Sequence, residues 1–136
     1  MARMTGVIFS DLGVASSFMT LDWVQAGLKQ SLGFAPYPAT LNLRPKSAAD
    51  VEIWQCIRIE ASALHLRSAE GAFCSARLYP IAIHADRDSA PEKITGAILV
   101  PEVPDYPSDK IEIVAPVRLK DYLGVRDGDA LTLEFH

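Results

Sequence analysis

Three small groups of residues in this chain carry the side chains that phosphate and metal chemistry uses. Thr40 and Asn42 sit two apart in Thr40-Leu41-Asn42-Leu43, which alternates polar and apolar as a half-buried strand does. Both side chains therefore point to one face, about 7 Å apart along the chain. A hydroxyl and an amide oxygen at that separation can hold one Mg²⁺, a hard cation that takes few protein ligands and keeps waters and substrate phosphates for the rest. Taken alone, the pair also reads as a polar strand face bonded to solvent or to a turn. Glu112 lies between Ile111 and Ile113, so alternation puts its carboxylate on the face opposite the two isoleucines. There it can accept a proton from a hydroxyl nucleophile or hydrogen-bond a ligand; the plainer alternative is an exposed strand glutamate. Val117-Arg118-Leu119-Lys120 follows Pro116, which suits the first turn of a helix, where free backbone N–H groups and two cations can gather phosphate oxygens. A solvated helix face is the alternative for that segment.

Other reactive residue types are poorly placed. His65 and His84 are isolated in strand-like patterns with no carboxylate at catalytic spacing, and His136 is terminal, so all three read as structural or solvated. Ser16-Ser17 has no nucleophile elbow around it. Cys56 and Cys74 are too far apart for a zinc knuckle and too few for a disulfide framework, and read as inert thiols in strands.

These groups need a scaffold, and the rest of the chain predicts one rich in strands. Gly6 to Ser10 reads as a first strand, followed by a turn at Asp11-Leu12-Gly13 and a second extended piece around Phe18. From Thr20, Leu21, Val24, Leu28 and Leu32 recur at helical spacing, with Thr20 or Asp22 as candidate N-cap and Gly33 just past the end; Gly27 within that helix suggests close packing. Pro36 and Pro38 make the stretch from Phe34 to Ala39 an extended, rigid loop. Further strands are expected at Val51 to Glu60, Ala72 to His84, Ile94 to Val100, Lys110 to Val114 and Ala130 to Phe135. Leu119, Tyr122 and Leu123 form a short amphipathic turn closed by Gly124, and Asp127-Gly128-Asp129 is a tight turn into the last strand. Many strands with one longer helix and a short C-terminal helix predict a mainly β fold, a small closed barrel, as a single domain over residues 1–136.

At 136 residues and 49% apolar content the chain can bury a core without a disulfide or metal staple. Its net charge of −4 argues against a general nucleic-acid binder, which needs a basic face to release counterions from phosphates, yet leaves room for a small anionic ligand. The start of the chain lacks the apolar run of a signal peptide and no segment has the length of a membrane span, so a cytoplasmic address and no membrane partner are expected.

Four blocks, taken together, carry a family likeness. Leu32-Gly33-Phe34-Ala35-Pro36-Tyr37-Pro38-Ala39-Thr40-Leu41-Asn42-Leu43, Gly96 to Pro101, Ile111-Glu112-Ile113-Val114-Ala115-Pro116-Val117-Arg118-Leu119 and Leu123 to Asp129 resemble, in order and spacing, the CTP-dependent riboflavin kinases best known from archaea. The resemblance implies a cradle-loop β-barrel that transfers the γ-phosphoryl of CTP to the ribityl 5′-hydroxyl of riboflavin, giving FMN and CDP. It implies Mg²⁺ on Thr40 and Asn42, the flavin on Glu112, and nucleotide phosphates on Val117, Arg118, Leu119 and Lys120. The family's nucleotide loop falls on Asp11, Leu12, Gly13, Val14, Ala15 and Ser16, where Gly13 is the one glycine kept. Pro104 stands at a flavin position where the family places a Thr, and Ala39 where Gly is common. Two other functions fit the same barrel: a non-catalytic flavin- or nucleotide-binding module, and a transcription-factor-like barrel that binds DNA or a protein through an exposed edge.

Overall fold

A computed structural model describes residues 2–10, 15–60, 63–67, 75–86 and 93–135. The elements run β1 (Arg3–Phe9), α1 (Ala15–Met19), α2 (Asp22–Leu32), β2 (Leu41–Pro45), α3 (Ala48–Glu60), β3 (Leu64–Leu66), β4 (Ala76–Ala85), β5 (Ile94–Pro101), β6 (Ile111–Val114), α4 (Leu119–Leu123) and β7 (Ala130–Phe135). Six antiparallel strands close on themselves in the order β4-β5-β6-β2-β1-β7, because β7 pairs back onto β4. The mainly β closed barrel expected from the sequence is what forms.

Strand β4 makes the closure possible by giving one edge to two partners. Residues 76–78 pair with β3, and residues 81–85 pair with β7. Pro80 falls in the gap between these ladders, where its missing N–H leaves neither one short of a donor.

Two apolar layers hold the barrel. Inside, Met4, Ile8, Leu43, Ile81, Ile83, Ile98, Ile111, Ile113, Leu131 and Leu133 form one buried cluster, joined by Trp54 of α3, whose ring stacks on Phe135. Outside, Leu66, Leu78, Leu99 and Val114 are covered by Met19, Val24 and Leu28 from α1 and α2. A Cβ at Gly27 would lie 2.4 Å from the Leu66 side chain, so the expected close approach along α2 is real. Gly33 ends α2 in the left-handed conformation (φ 84°), its N–H bonded to the Lys29 carbonyl, as its position past the last apolar residue predicts.

Several local expectations are corrected. Val51 to Glu60 is not a strand but most of α3, the longest helix described. Its apolar residues at 51, 53, 57 and 59 mimic alternation, yet that pattern would bury Ile59, which is 83% exposed. A start signal upstream decides the matter: Asp50 N–H donates to Ser47 Oγ (3.3 Å) while Ser47 Oγ donates to Asp50 Oδ2 (2.6 Å), a reciprocal N-terminal cap. Cys56 accordingly lies exposed on a helix, not in a strand. Phe18 belongs to α1 rather than an extended piece, and the N-cap of α2 is Leu21 instead of Thr20 or Asp22. Thr20 donates its hydroxyl to the Ser17 carbonyl, so it caps the end of α1 rather than the start of α2. Pro116 precedes α4 by three residues, with Arg118 as the N-cap. Strand β3 was not foreseen, and the turn expected at Asp11 to Gly13 and the residue Cys74 lie outside the described residues.

Candidate functional site

The register of β2 decides which polar side chains meet. Asn42 is paired with Glu112 of β6 on one side and with Phe9 of β1 on the other, while Leu43 and Leu41 pair with Ile111 and Ile113. Leu43, Ile111 and Ile113 fill the barrel interior, so Asn42 and Glu112 share the outer face, as alternation predicts. Thr40, just ahead of β2, reaches the same place: its Oγ1 donates to Glu112 Oε1 at 3.1 Å. The other carboxylate oxygen, Oε2, accepts the phenol hydrogen of Tyr106 at 2.5 Å. Glu112 is thereby 5% exposed, which removes the reading of a solvated strand glutamate.

An open cleft of about 200 Å³ lies beside this cluster. Its walls come from the end of β1 (Phe9, Ser10), residues 37 and 39–42, the end of β6, and the segment Val117, Arg118, Leu119 and Lys120. Two groups that lie some 75 residues apart in the chain, the Thr40–Asn42 pair and the Val117–Lys120 segment, therefore face one space. The proline-bracketed loop is fixed here by Tyr37, whose N–H donates to the Ala115 carbonyl at 2.8 Å, and Tyr37 lines the cleft mouth.

The donor set suits a hard cation. Asn42 Oδ1 is buried without a hydrogen-bond partner, an arrangement that normally costs a protein about 1–3 kcal/mol. Thr40 has a single hydroxyl hydrogen and gives it to Glu112, so what remains on Thr40 for the cleft is lone pairs. Two neutral oxygen acceptors beside a buried carboxylate fit Mg²⁺, with further ligands supplied by a bound polyphosphate and water. Among the described residues, no group of three or more His, Cys, Asp or Glu is arranged to hold a metal.

The opposite wall is cationic but already paired. Arg118 contacts Asp121 at 2.7 Å, and Lys120 contacts Asp127 at 2.9 Å. Asp127 also accepts a hydrogen bond from the Ser10 hydroxyl. The Ser10 bond first and Lys120 second hold the Asp127 carboxyl below its ordinary range. Asp127 thus ties the residue that enters segment 11–14 to the lysine of the phosphate candidate.

The remaining site expectations fare unevenly. Asp11, Leu12, Gly13 and Val14 lie outside the described residues, and of Ala15 and Ser16 only the backbone, in α1, is described. Pro104 is exposed in the β5–β6 connection and does not line the cleft. Its near neighbour Tyr106, which no spacing rule singles out, is the residue of that connection that reaches Glu112. Asp127 was legible as a turn residue but not as a partner of Lys120.

The architecture and cleft define a class: a closed, six-stranded antiparallel barrel with a polar-lined cleft on its outer rim. Within that class, the chain belongs to the CTP-dependent riboflavin kinase family. The family model CTP-dep_RFKase, described as "Domain of unknown function DUF120", matches residues 8–135. The riboflavin kinase of Pyrobaculum islandicum is 34% identical over 134 residues, covering 98% of this chain and 60% of that protein. The riboflavin kinase of Methanoregula boonei is 35% identical over 133 residues, covering 96% of this chain and 56% of the relative. That of Archaeoglobus fulgidus is 31% identical over 137 residues, with 97% and 54% covered. The chain spans little more than half the length of the curated relatives it matches.

Proposed function

We propose that residues 1–136 form one catalytic domain that transfers the γ-phosphoryl group of CTP to the ribityl 5′-hydroxyl of riboflavin. The observation that carries this reading is the unpartnered Asn42 oxygen beside Thr40, in a cleft whose other wall holds Arg118 and Lys120. Phosphoryl transfer asks a protein mainly for positioning and charge neutralisation, and these side chains are of the types that supply both.

In this reading Thr40 and Asn42 hold Mg²⁺, which neutralises charge on the donor phosphates. Val117, Arg118, Leu119 and Lys120 bind the phosphate oxygens, for which Arg118 and Lys120 exchange their present carboxylate partners. The loop Asp11, Leu12, Gly13, Val14, Ala15 and Ser16 contacts the nucleotide, and Ser10 at its head lines the cleft. A carboxylate has about four acceptor positions, so Glu112, which stands behind Thr40 rather than in the cleft lining, keeps capacity for the ribityl hydroxyl and its proton once a bound flavin reaches past Thr40. The new O–P bond forms as the bond to the β,γ-bridging oxygen breaks, and CDP leaves with that electron pair.

The cytoplasm, where CTP and Mg²⁺ are available, is the compartment this activity requires; no helix among the described residues is long and apolar enough to cross a membrane. The test is incubation of the protein with riboflavin, Mg²⁺ and each nucleoside triphosphate in turn, followed by detection of FMN. Formation of FMN with CTP above all other donors is expected, and absence of FMN with every donor rejects catalysis. Pro104, exposed and without the hydroxyl that the family likeness places there, favours a second reading, a flavin- or nucleotide-binding module. Calorimetric binding of either ligand without FMN would select it.

A further inference from the structure

We infer that Tyr106 is a positioning residue for the cation site, acting through Glu112 on Thr40. The inference rests on the reading above in one respect, that Thr40 and Asn42 are cation ligands.

What Thr40 can bind depends on where its hydroxyl hydrogen points. A threonine hydroxyl has one hydrogen and two lone pairs, and it serves a cation only when the hydrogen points away. Nothing in the threonine itself fixes that rotor. Here the hydrogen is committed to Glu112 Oε1 at 3.1 Å, so the orientation of Thr40 is as good as the orientation of the carboxylate that receives it. Glutamate χ3 is a broad, soft torsion, and a carboxylate anchored at one oxygen alone would swing.

Tyr106 supplies the second anchor. Its hydroxyl lies 2.5 Å from Oε2, at the short end of the range for a hydrogen bond to a carboxylate. The phenol ring is partly buried against the barrel core, and its backbone N–H donates to the Val103 carbonyl. It is therefore held by the β5–β6 connection and the core, and it does not line the cleft. Glu112 does not itself line the cleft, whereas Thr40 does. Asn42, opposite Glu112 in the ladder, already presents an unpartnered oxygen. The line Tyr106 to Glu112 to Thr40 thus turns a rotatable hydroxyl into a fixed acceptor beside a second fixed acceptor.

The test is Tyr106→Phe, which keeps the ring and removes the anchor. Mn²⁺ binding is measured by the electron paramagnetic resonance of free Mn²⁺, with CDP present and riboflavin absent, so no turnover is involved. Loss of one such hydrogen bond predicts Mn²⁺ affinity about fivefold weaker. In a Thr40→Val background the same change has no further effect; in a Thr40→Ser background, which restores the hydroxyl, the loss returns. Should Tyr106→Phe fold poorly, Glu112→Gln tests the same chain: its amide oxygen takes the Tyr106 hydrogen, and its NH₂ donates to Thr40 and turns that hydroxyl's hydrogen toward the cleft. Weaker Mn²⁺ binding is again expected.

Unchanged Mn²⁺ affinity in Tyr106→Phe, or an equal loss with and without the Thr40 hydroxyl, overturns the inference and leaves the phosphotransferase reading standing. A wild-type protein that binds no Mn²⁺ with CDP, or whose Mn²⁺ affinity is indifferent to Thr40→Val, overturns both.

Discussion

Asn42 is where function and stability pull apart most clearly at the scale of single residues. A buried amide oxygen with no partner is a standing loss to the folded state, and replacing it with an apolar side chain of similar shape removes that loss. Asn42→Leu is expected to raise unfolding stability by about 1 kcal/mol in urea denaturation while abolishing FMN formation. A variant that loses stability as well would mean that the amide is bonded in solution and is structural. The same residue shows how far the sequence reads at this scale. Parity along each strand puts Thr40 with Asn42 on one face and Glu112 opposite its flanking isoleucines, and the structure joins the two groups because β2 and β6 are neighbours in register. Tyr106 was beyond such reasoning, since a side chain on a connection has no periodicity to aim it. Asp127 is similar: its tie to Lys120 spans a helix end and a turn, and only their folded meeting creates it.

Elements are legible when their local signals agree and misleading when two periods compete. Helix α2 has apolar residues at one spacing only and a glycine stop, and its span matches expectation to within two residues. Helix α3 carries residues compatible with both periods, so the decisive information sits before it, in Ser47-Ala48-Ala49-Asp50. That cap also joins elements: Asp50 Oδ1 accepts the Thr5 N–H at 2.9 Å and fastens the start of α3 to β1. Ser47→Ala is expected to lower stability by about 1 kcal/mol, the usual worth of an N-cap. Asp50→Ala should cost more, because it strips the cap and leaves the Thr5 N–H without this acceptor. Chemical denaturation measures both, and the order of the two losses is the informative result. Equal losses would show that the β1 attachment contributes nothing beyond the cap. Strand β3 marks the opposite limit: three residues hold too short a pattern to read, and their pairing depends on the edge that β4 leaves open below Pro80.

For the whole molecule the critical event is closure, since β7 must meet both β1, from the opposite end of the chain, and β4. Strand content alone predicted a small barrel, but the seam that closes it depends on contacts no local pattern encodes. One lies on Glu134 of β7, opposite Arg3 of β1 and Ala82 of β4. Its carboxylate binds Lys93 at 2.9 Å and Arg3 at 2.6 Å, with His84 Nε2 at 3.7 Å. Lys93 first and Arg3 second pull its carboxyl from 4.5 down to about 2. A depressed folded-state value means that the ionised form is favoured by folding. The stabilisation is therefore fully present above about pH 4.5 and is lost as the pH falls toward 2. Glutamine at this position cannot titrate, so wild type should be more stable than Glu134→Gln near neutral pH, and their denaturation midpoints should converge across that acid window. Salt should narrow the gap at neutral pH, because both cations are largely exposed. A gap that stays constant from neutral to strongly acid solution would mean that Glu134 holds the seam by shape and hydrogen bonding rather than by charge, and that acid weakens the barrel elsewhere.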